Sequence, residues 1–194
     1  MSRLRPWLII VTALLMVGAL VWLIVSEHRA RAAGTEVMFA LEGVDPRSLL
    51  SGHYVDLQLR ETRDGKFCKT LPEEPGRDTW RWIALRQEGK RAVVVAETAS
   101  REAALKLAPL AVQGQVGCWE GGENTSTVSL NIGIDRFHAS QKEAQKIEAA
   151  LRATNAETPT AFALVSVGSD GRARLLGIEV EGRRIMLDWF TSTD

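Results

Sequence analysis

The sequence predicts a mainly β domain with one α-helix (α+β), an antiparallel meander closed as a barrel or sandwich, preceded by one transmembrane helix. Three observations carry this. Trp7–Val25 is a run of 19 residues without a charge. Beyond it come seven to ten short runs of strand character, punctuated by turn pairs such as Asp64-Gly65, Glu88-Gly89, Asp170-Gly171 and Glu181-Gly182. Only one later stretch, opening at Ser140, has a strong helical period. Many short strands with tight turns and a single helix are the pattern of a barrel or sandwich.

The apolar run comes first in the chain. As a helix its 19 residues span about 28 Å, close to the roughly 30 Å hydrocarbon core of a bilayer. Trp7 and Trp22 lie near its ends, where interfacial aromatics belong. Arg3 and Arg5 precede it and Arg29 and Arg31 follow, so basic residues alone leave the orientation open. A short basic head before a long downstream domain favours the N-terminus in the cytoplasm. Ala30-Arg31-Ala32 is an A-x-A site, which makes a cleaved signal peptide the rival reading. The length of the run, and the charges between it and that site, argue for an uncleaved anchor. Residues 1–33 are therefore expected to form a cytoplasmic head, an anchor and a short basic linker. Residues 34–194 then form one extracytoplasmic β-rich domain.

The whole chain carries 24 basic and 24 acidic residues. Removing residues 1–33 takes away four basic and one acidic, leaving 20 against 23 and a net charge of −3. That balance excludes a nucleic-acid footprint. The 161 residues that remain suffice to bury about 70% of their unfolded surface, so no cofactor is needed to build a core.

Along the domain, Glu36–Leu41 alternates as a strand. Asp45 to Gly52 then reads as one capped helical turn. Asp45 is its N-cap, Pro46 stands at the first helical position, Leu49 and Leu50 form its apolar side, and Gly52 ends it. From His53 to Arg60 the period switches to two, with His53, Val55, Leu57 and Leu59 on one face and Tyr54, Asp56, Gln58 and Arg60 on the other. Asp64-Gly65 predicts a hairpin returning through Phe67 and Cys68. LPEEPGRD (71–78) is a loop. Trp80–Arg86 alternates, Glu88-Gly89 turns it, and the AVVV run of Arg91–Ala96 suits a strand buried on both faces. Ser100–Leu107 predicts one or two helical turns, Leu110–Gly117 a strand, Trp119–Asn124 an exposed loop and Thr127–Ile134 a strand.

The one strongly periodic helix of the domain opens with a Ser140/Glu143 capping box. It carries Ala144, Ile147 and Leu151 as its apolar stripe and ends near Asn155. Two hairpins close the chain: Ala161–Val167 turning at Asp170-Gly171, and Arg174–Glu179 turning at Glu181-Gly182 into Arg184–Trp189.

The run DPRSLLSGHYVDLQL (45–59) resembles the signature of the GDYXXLXY proteins, small bacterial membrane-anchored proteins. Gly52, Tyr54 and Leu57 match named positions, and Asp45, Pro46, Arg47, Leu49 and Leu50 match the run before them. Two named positions depart: His53 stands for the motif aspartate and Leu59 for its last tyrosine. GIDRF (133–137), with Asp135 and Arg136, and the closing GIEVEGRRI (177–185) resemble two further family segments. The resemblance implies topology rather than an activity. It also implies a multi-span membrane protein as partner, since members tend to be encoded beside such proteins.

The residues that could carry chemistry are few. Cys68 and Cys118 are the only cysteines, and outside the cytoplasm such a pair persists as a disulfide; two free thiols are the alternative. His28, His53 and His138 have no metal-ligand spacing, so no metal is expected. His53 is either a titrating group in a cleft or a hydrogen-bonded side chain closing the core edge. Arg136, beside Phe137, can pair with Asp45 or Asp56 across the fold, or reach a partner. No nucleophile elbow, phosphate loop or dinucleotide fingerprint is present. The expected function is a non-catalytic docking or accessory subunit. The alternative is a membrane-tethered hydrolase acting on an envelope substrate, with His53, Asp56 and Asp135 converging as its acid–base set.

Overall fold

The computed structural model describes residues 4–42, 54–71, 79–120, 125–139, 141–152 and 159–187. The capped turn from Asp45 to Gly52, most of the 71–78 loop, Ser140 and Trp189 therefore lie outside the described residues. Helix α1 runs from Leu4 to Ala33, and its side chains from Trp7 to Val25 are exposed on every face. The residues expected as a short basic linker are helical. The helix continues through Arg29 and Arg31, and only Gly34 separates it from strand β1, Thr35–Glu42. Gly34 has no room for a side chain, because a Cβ there would overlap Ser166 Oγ and the Val167 carbonyl.

The remaining strands are β2 (Tyr54–Asp56), β3 (Gln58–Asp64), β4 (Arg81–Glu88), β5 (Arg91–Thr98), β6 (Leu110–Glu120), β7 (Thr125–Asn131), β8 (Arg136–His138), β9 (Ala161–Val167), β10 (Ala173–Val180) and β11 (Arg183–Met186). Helix α2 covers Arg101–Leu107 and α3 Gln141–Arg152. Six strands close in the order β1-β3-β7-β6-β4-β5, so the fold is a barrel rather than a sandwich. Closure comes from one parallel pair, Met38 with Arg91, where the Met38 N–H donates to the Lys90 carbonyl at 3.0 Å. Strands β9, β10 and β11 extend from β1 as an open antiparallel sheet.

Alternation decides the core. Ile83 and Leu85 of β4 point into the barrel, with Val37, Val94, Val112 and Val128 around them. Trp82 and Ala84, on the other face of β4, lie with α2 and its Ala104. Ser100 caps α2 by accepting the Ala103 N–H at 3.2 Å. Ala144, Ile147 and Leu151 are the buried stripe of α3.

Several sequence expectations are corrected. The single strand expected from His53 to Arg60 is two strands: β2 pairs with β8 and β3 with β7. The chain changes partner at Leu57, whose N–H leaves the ladder and donates to the Asp135 carbonyl at 2.8 Å. Burial still alternates across the break, with Val55, Leu57 and Leu59 inside. Phe67 and Cys68 do not return as a strand. They form a 3₁₀ turn, Phe67–Thr70, because the edge of β3 is already taken by β7. Strand β5 is buried on one face only, since Ala92 and Val94 face the lumen while Val93 and Val95 are half-buried. Trp119 and Glu120 belong to β6 and pair with Thr127 and Ser126 rather than opening a loop. Strand β8 was not expected, because three residues are too few to show a period.

The β1/β5 closure is reinforced by two side chains of β3. Glu61 Oε1 accepts the Val94 N–H at 3.1 Å, and Arg63 Nη2 donates to the Val94 carbonyl at 2.6 Å. Both backbone groups on the open edge of one β5 residue are thus satisfied by side chains where no strand pairs with it. Burial pushes the Glu61 carboxyl above its ordinary value of 4.5, against the opposing pull of Arg63 and the Val94 N–H. A raised folded value means that the folded state holds this proton more tightly than the unfolded chain does. The stability linked to it is fully present below the ordinary carboxyl value and is lost as pH rises through the raised one. Glu61→Gln keeps the acceptor and removes the charge. Its denaturant-unfolding free energy is expected to lose this part of the pH dependence and to equal or exceed wild type at pH 7. An unchanged slope between pH 4 and 7 would refute the assignment.

Candidate functional site

Two places gather the polar and aromatic side chains that the barrel core leaves outside. The first lies at the break between β2 and β3. Tyr54 pairs with His138 and Asp56 with Arg136 across the small β2/β8 ladder. Arg136 Nε stands 4.0 Å from Asp56 Oδ1 and 3.9 Å from Asp135 Oδ2. All three side chains are well exposed, so the pairs orient the edge more than they stabilise it. Asp56, one of the two partners expected for Arg136, is the one found. Asp45, Pro46, Arg47, Gly52 and His53 lie outside the described residues. Of the acid–base set expected for a hydrolase, Asp56 and Asp135 thus both flank Arg136 on an open edge. Among the described residues no group of three or more His, Cys, Asp or Glu side chains converges as a metal site requires.

Beside that edge runs an open groove of about 380 Å³. Leu57 and Leu59, two positions of the signature, lie among the residues that line it, together with Leu130 and Ile134; Asp135 borders it. One wall is Trp119, 53% exposed, with the Arg60 guanidinium carbon 5.7 Å from its ring centroid. Arg60 is held in place by Glu42, its Nη1 lying 2.6 Å from Oε2. An exposed tryptophan under a fixed arginine is the composition of an interface anchor.

The second place is the joint between α1 and the barrel. Arg174 of β10 is buried, and its guanidinium is shared by two carboxylates. Nε and Nη2 donate to Glu27 of α1 at 2.6 and 3.2 Å, while Nη1 and Nη2 donate to Asp170 at 3.1 and 2.8 Å. Ser166 Oγ adds a bond to the Arg31 carbonyl at 2.7 Å. The Arg174 guanidinium holds the Asp170 carboxyl down at about 2, helped by the Arg172 N–H. Its contribution is therefore complete above the ordinary value of 3.8 and is lost as pH falls through about 2.

Sequence reasoning found neither Arg174 nor the Arg60–Trp119 wall. The one available signal was Glu27, a lone acid among basic residues just past the apolar run. The disulfide was expected and is present: Cys68 and Cys118 are bonded, with their Cα atoms 5.6 Å apart. It ties the 3₁₀ turn to β6, beside Trp119.

No curated protein and no solved structure matches this chain. The model of the GDYXXLXY protein family matches residues 16–178. That span takes in the second half of α1, the whole closed barrel, the groove with Leu57 and Asp135, and both ends of the Arg174 joint. On that match, the chain belongs to the GDYXXLXY protein family.

Proposed function

We propose that this protein is a single-pass membrane protein with its N-terminus in the cytoplasm, and that its barrel docks on a multi-span membrane protein as a non-catalytic subunit on the outer side of the cytoplasmic membrane. The observation that carries the reading is the Arg174 joint. A barrel fixed to its helix by Glu27 and Ser166 has one pose, and one pose suits a surface that must meet a partner embedded in the same bilayer. The same contacts support an uncleaved anchor, since cleavage after Ala32 would remove Glu27 and with it half of the joint. The disulfide supports an oxidising compartment. The Trp119–Arg60 groove supplies the docking chemistry.

Two measurements test this. A phosphatase that is active only outside the cytoplasm, fused after Asp194, is expected to be active; a silent fusion beside a working cytoplasmic reporter would place the barrel inside. In mild detergent, the full chain is expected to co-purify with a multi-span protein in fixed ratio. Trp119→Ala with Arg60→Ala is expected to lower that recovery at least tenfold while circular dichroism stays unchanged. Equal recovery by the variant would remove the groove from the interface.

A further inference from the structure

We propose that the β9–β10 turn, Gly168–Arg172, is a lipid-facing surface that seats the base of the barrel in the anionic headgroup layer, with Arg172 and Arg29 taking lipid phosphates. This rests on reading α1 as a span with the barrel beyond it. The depth follows from the helix. The apolar run ends at Val25, and Glu27 lies two residues further on, about 3 Å of helical rise. The headgroup region is roughly 5–8 Å deep on each side of the hydrocarbon. Glu27 therefore falls within it, and the Arg174 guanidinium bonded to Glu27 at 2.6 Å is held at the same depth.

Topology brings the turn to the same level. Strand β1 leaves α1 through Gly34, and β9 returns antiparallel to it, Val167 pairing with Thr35. The chain leaving Val167 is thus on the side of the helix. Asp170 reaches the same guanidinium at 2.8 Å, which places the turn tip beside Glu27. The turn cannot swing away. Gly171 adopts φ +77° against the Trp82 ring, its carbonyl accepts the Gln113 N–H at 2.8 Å, and the Gly168 N–H donates to the Arg172 carbonyl at 3.0 Å.

The charge of this base selects the partner. Between Ser26 and Ala33 the only acid is Glu27, and between Ala161 and Ile178 it is Asp170; both face Arg174. Against them stand Arg29, Arg31, Arg172 and Arg174; Glu36, in register with Ser166 and Arg174, is paired with Arg184 at 3.2 Å, so these eight side chains carry a formal charge of +2. The side chains of Arg29 and Arg172 are exposed. A basic residue in this layer raises affinity for anionic lipid about fivefold, the equivalent of about 1 kcal/mol.

The test uses the full chain in vesicles of phosphatidylcholine with a fifth phosphatidylglycerol. Spin-labelled phosphatidylglycerol is expected to associate with the wild-type chain several-fold more than spin-labelled phosphatidylcholine does, and Arg29→Gln with Arg172→Gln to bring that ratio near one. An unchanged ratio overturns the proposal. Nitroxides attached in Val17→Cys and, separately, Arg172→Cys fix the depth, the native cysteines being bonded. Relaxation of the 172 label by a nickel-chelating headgroup lipid is the expected result. A 172 label relaxed only by an aqueous agent, with the 17 label in hydrocarbon, overturns this proposal and leaves the anchor standing. A 17 label in water overturns both.

Discussion

Replacing Glu27 and Asp170 together by alanine is expected to cost about 3–5 kcal/mol, more than replacing the arginine they share. The reason is asymmetric solvation. The Arg174 side chain is 6% exposed, whereas Glu27 and Asp170 are 49% and 45% exposed. Removing both carboxylates leaves a largely buried guanidinium with no anion and only the water that enters where they stood. Arg174→Met instead leaves two carboxylates that water reaches, and its cost is expected near 1 kcal/mol, the range of accessible ion pairs. Each single carboxylate variant keeps one anion on Arg174 and should fall between. The ordering is read from thermal unfolding of the full chain in detergent, followed by its β signal. Equal destabilisation by the double variant and by Arg174→Met would mean that Arg174 is solvated and that the joint is ornamental. A second readout separates stability from pose. If the joint sets how the barrel sits on its helix, Arg174→Met should broaden the distance distribution between labels on α1 and β10 even where melting barely moves.

How much of this was legible in the sequence depends on the range of the cause. Local causes were readable: the stripe of Ala144, Ile147 and Leu151, the helical turns of Ser100–Leu107, the turn glycines, and the inward positions Val55, Leu57 and Leu59. Their alternation named the buried face but not the neighbour, so the partner change at Leu57 was invisible; it depends on Asp135, far along the chain. Phe67 and Cys68 failed for the same reason, since Asp64-Gly65 allows a hairpin and only the prior claim of β7 forbids it. Arg174 is the clearest case. A single arginine in a strand run reads as solvent-facing, and it is buried here because a helix 147 residues away lies over it. At the candidate site the Asp56–Arg136 pairing was anticipated, while the Arg60–Trp119 wall required the β3-β7-β6 order. The disulfide was legible because the chain offers no other pair.

Removing that disulfide, as Cys68→Ala with Cys118→Ala, is expected to cost about 4 kcal/mol and to lower the melting temperature of the full chain by about 8–16 °C. The bond closes a sequence separation of 50 residues, and in the chain-entropy account the stabilisation grows with the logarithm of that loop. The loop contains β4 and β5 whole, and β5 is the strand that closes the barrel on β1, so the cross-link limits the unfolded chain where the barrel has most to reassemble. Locally, Cys68 sits in a 3₁₀ turn with the short backbone bonds Lys69 N–H to Lys66 and Leu71 N–H to Cys68, Phe67 packed against the core, and the Lys69–Glu120 pair at 3.6 Å reaching β6. That ion pair is exposed on both sides and contributes little beside the covalent tie to β6. Protein from intact cells should therefore take up no thiol label before reduction and two labels after it. Two labels without reduction would place the barrel in a reducing compartment and remove the compartment argument for its outward orientation. A double variant melting within about 3 °C of the native chain would show instead that the β6–β7 ladder alone holds this edge, below the scale expected for a loop of this length.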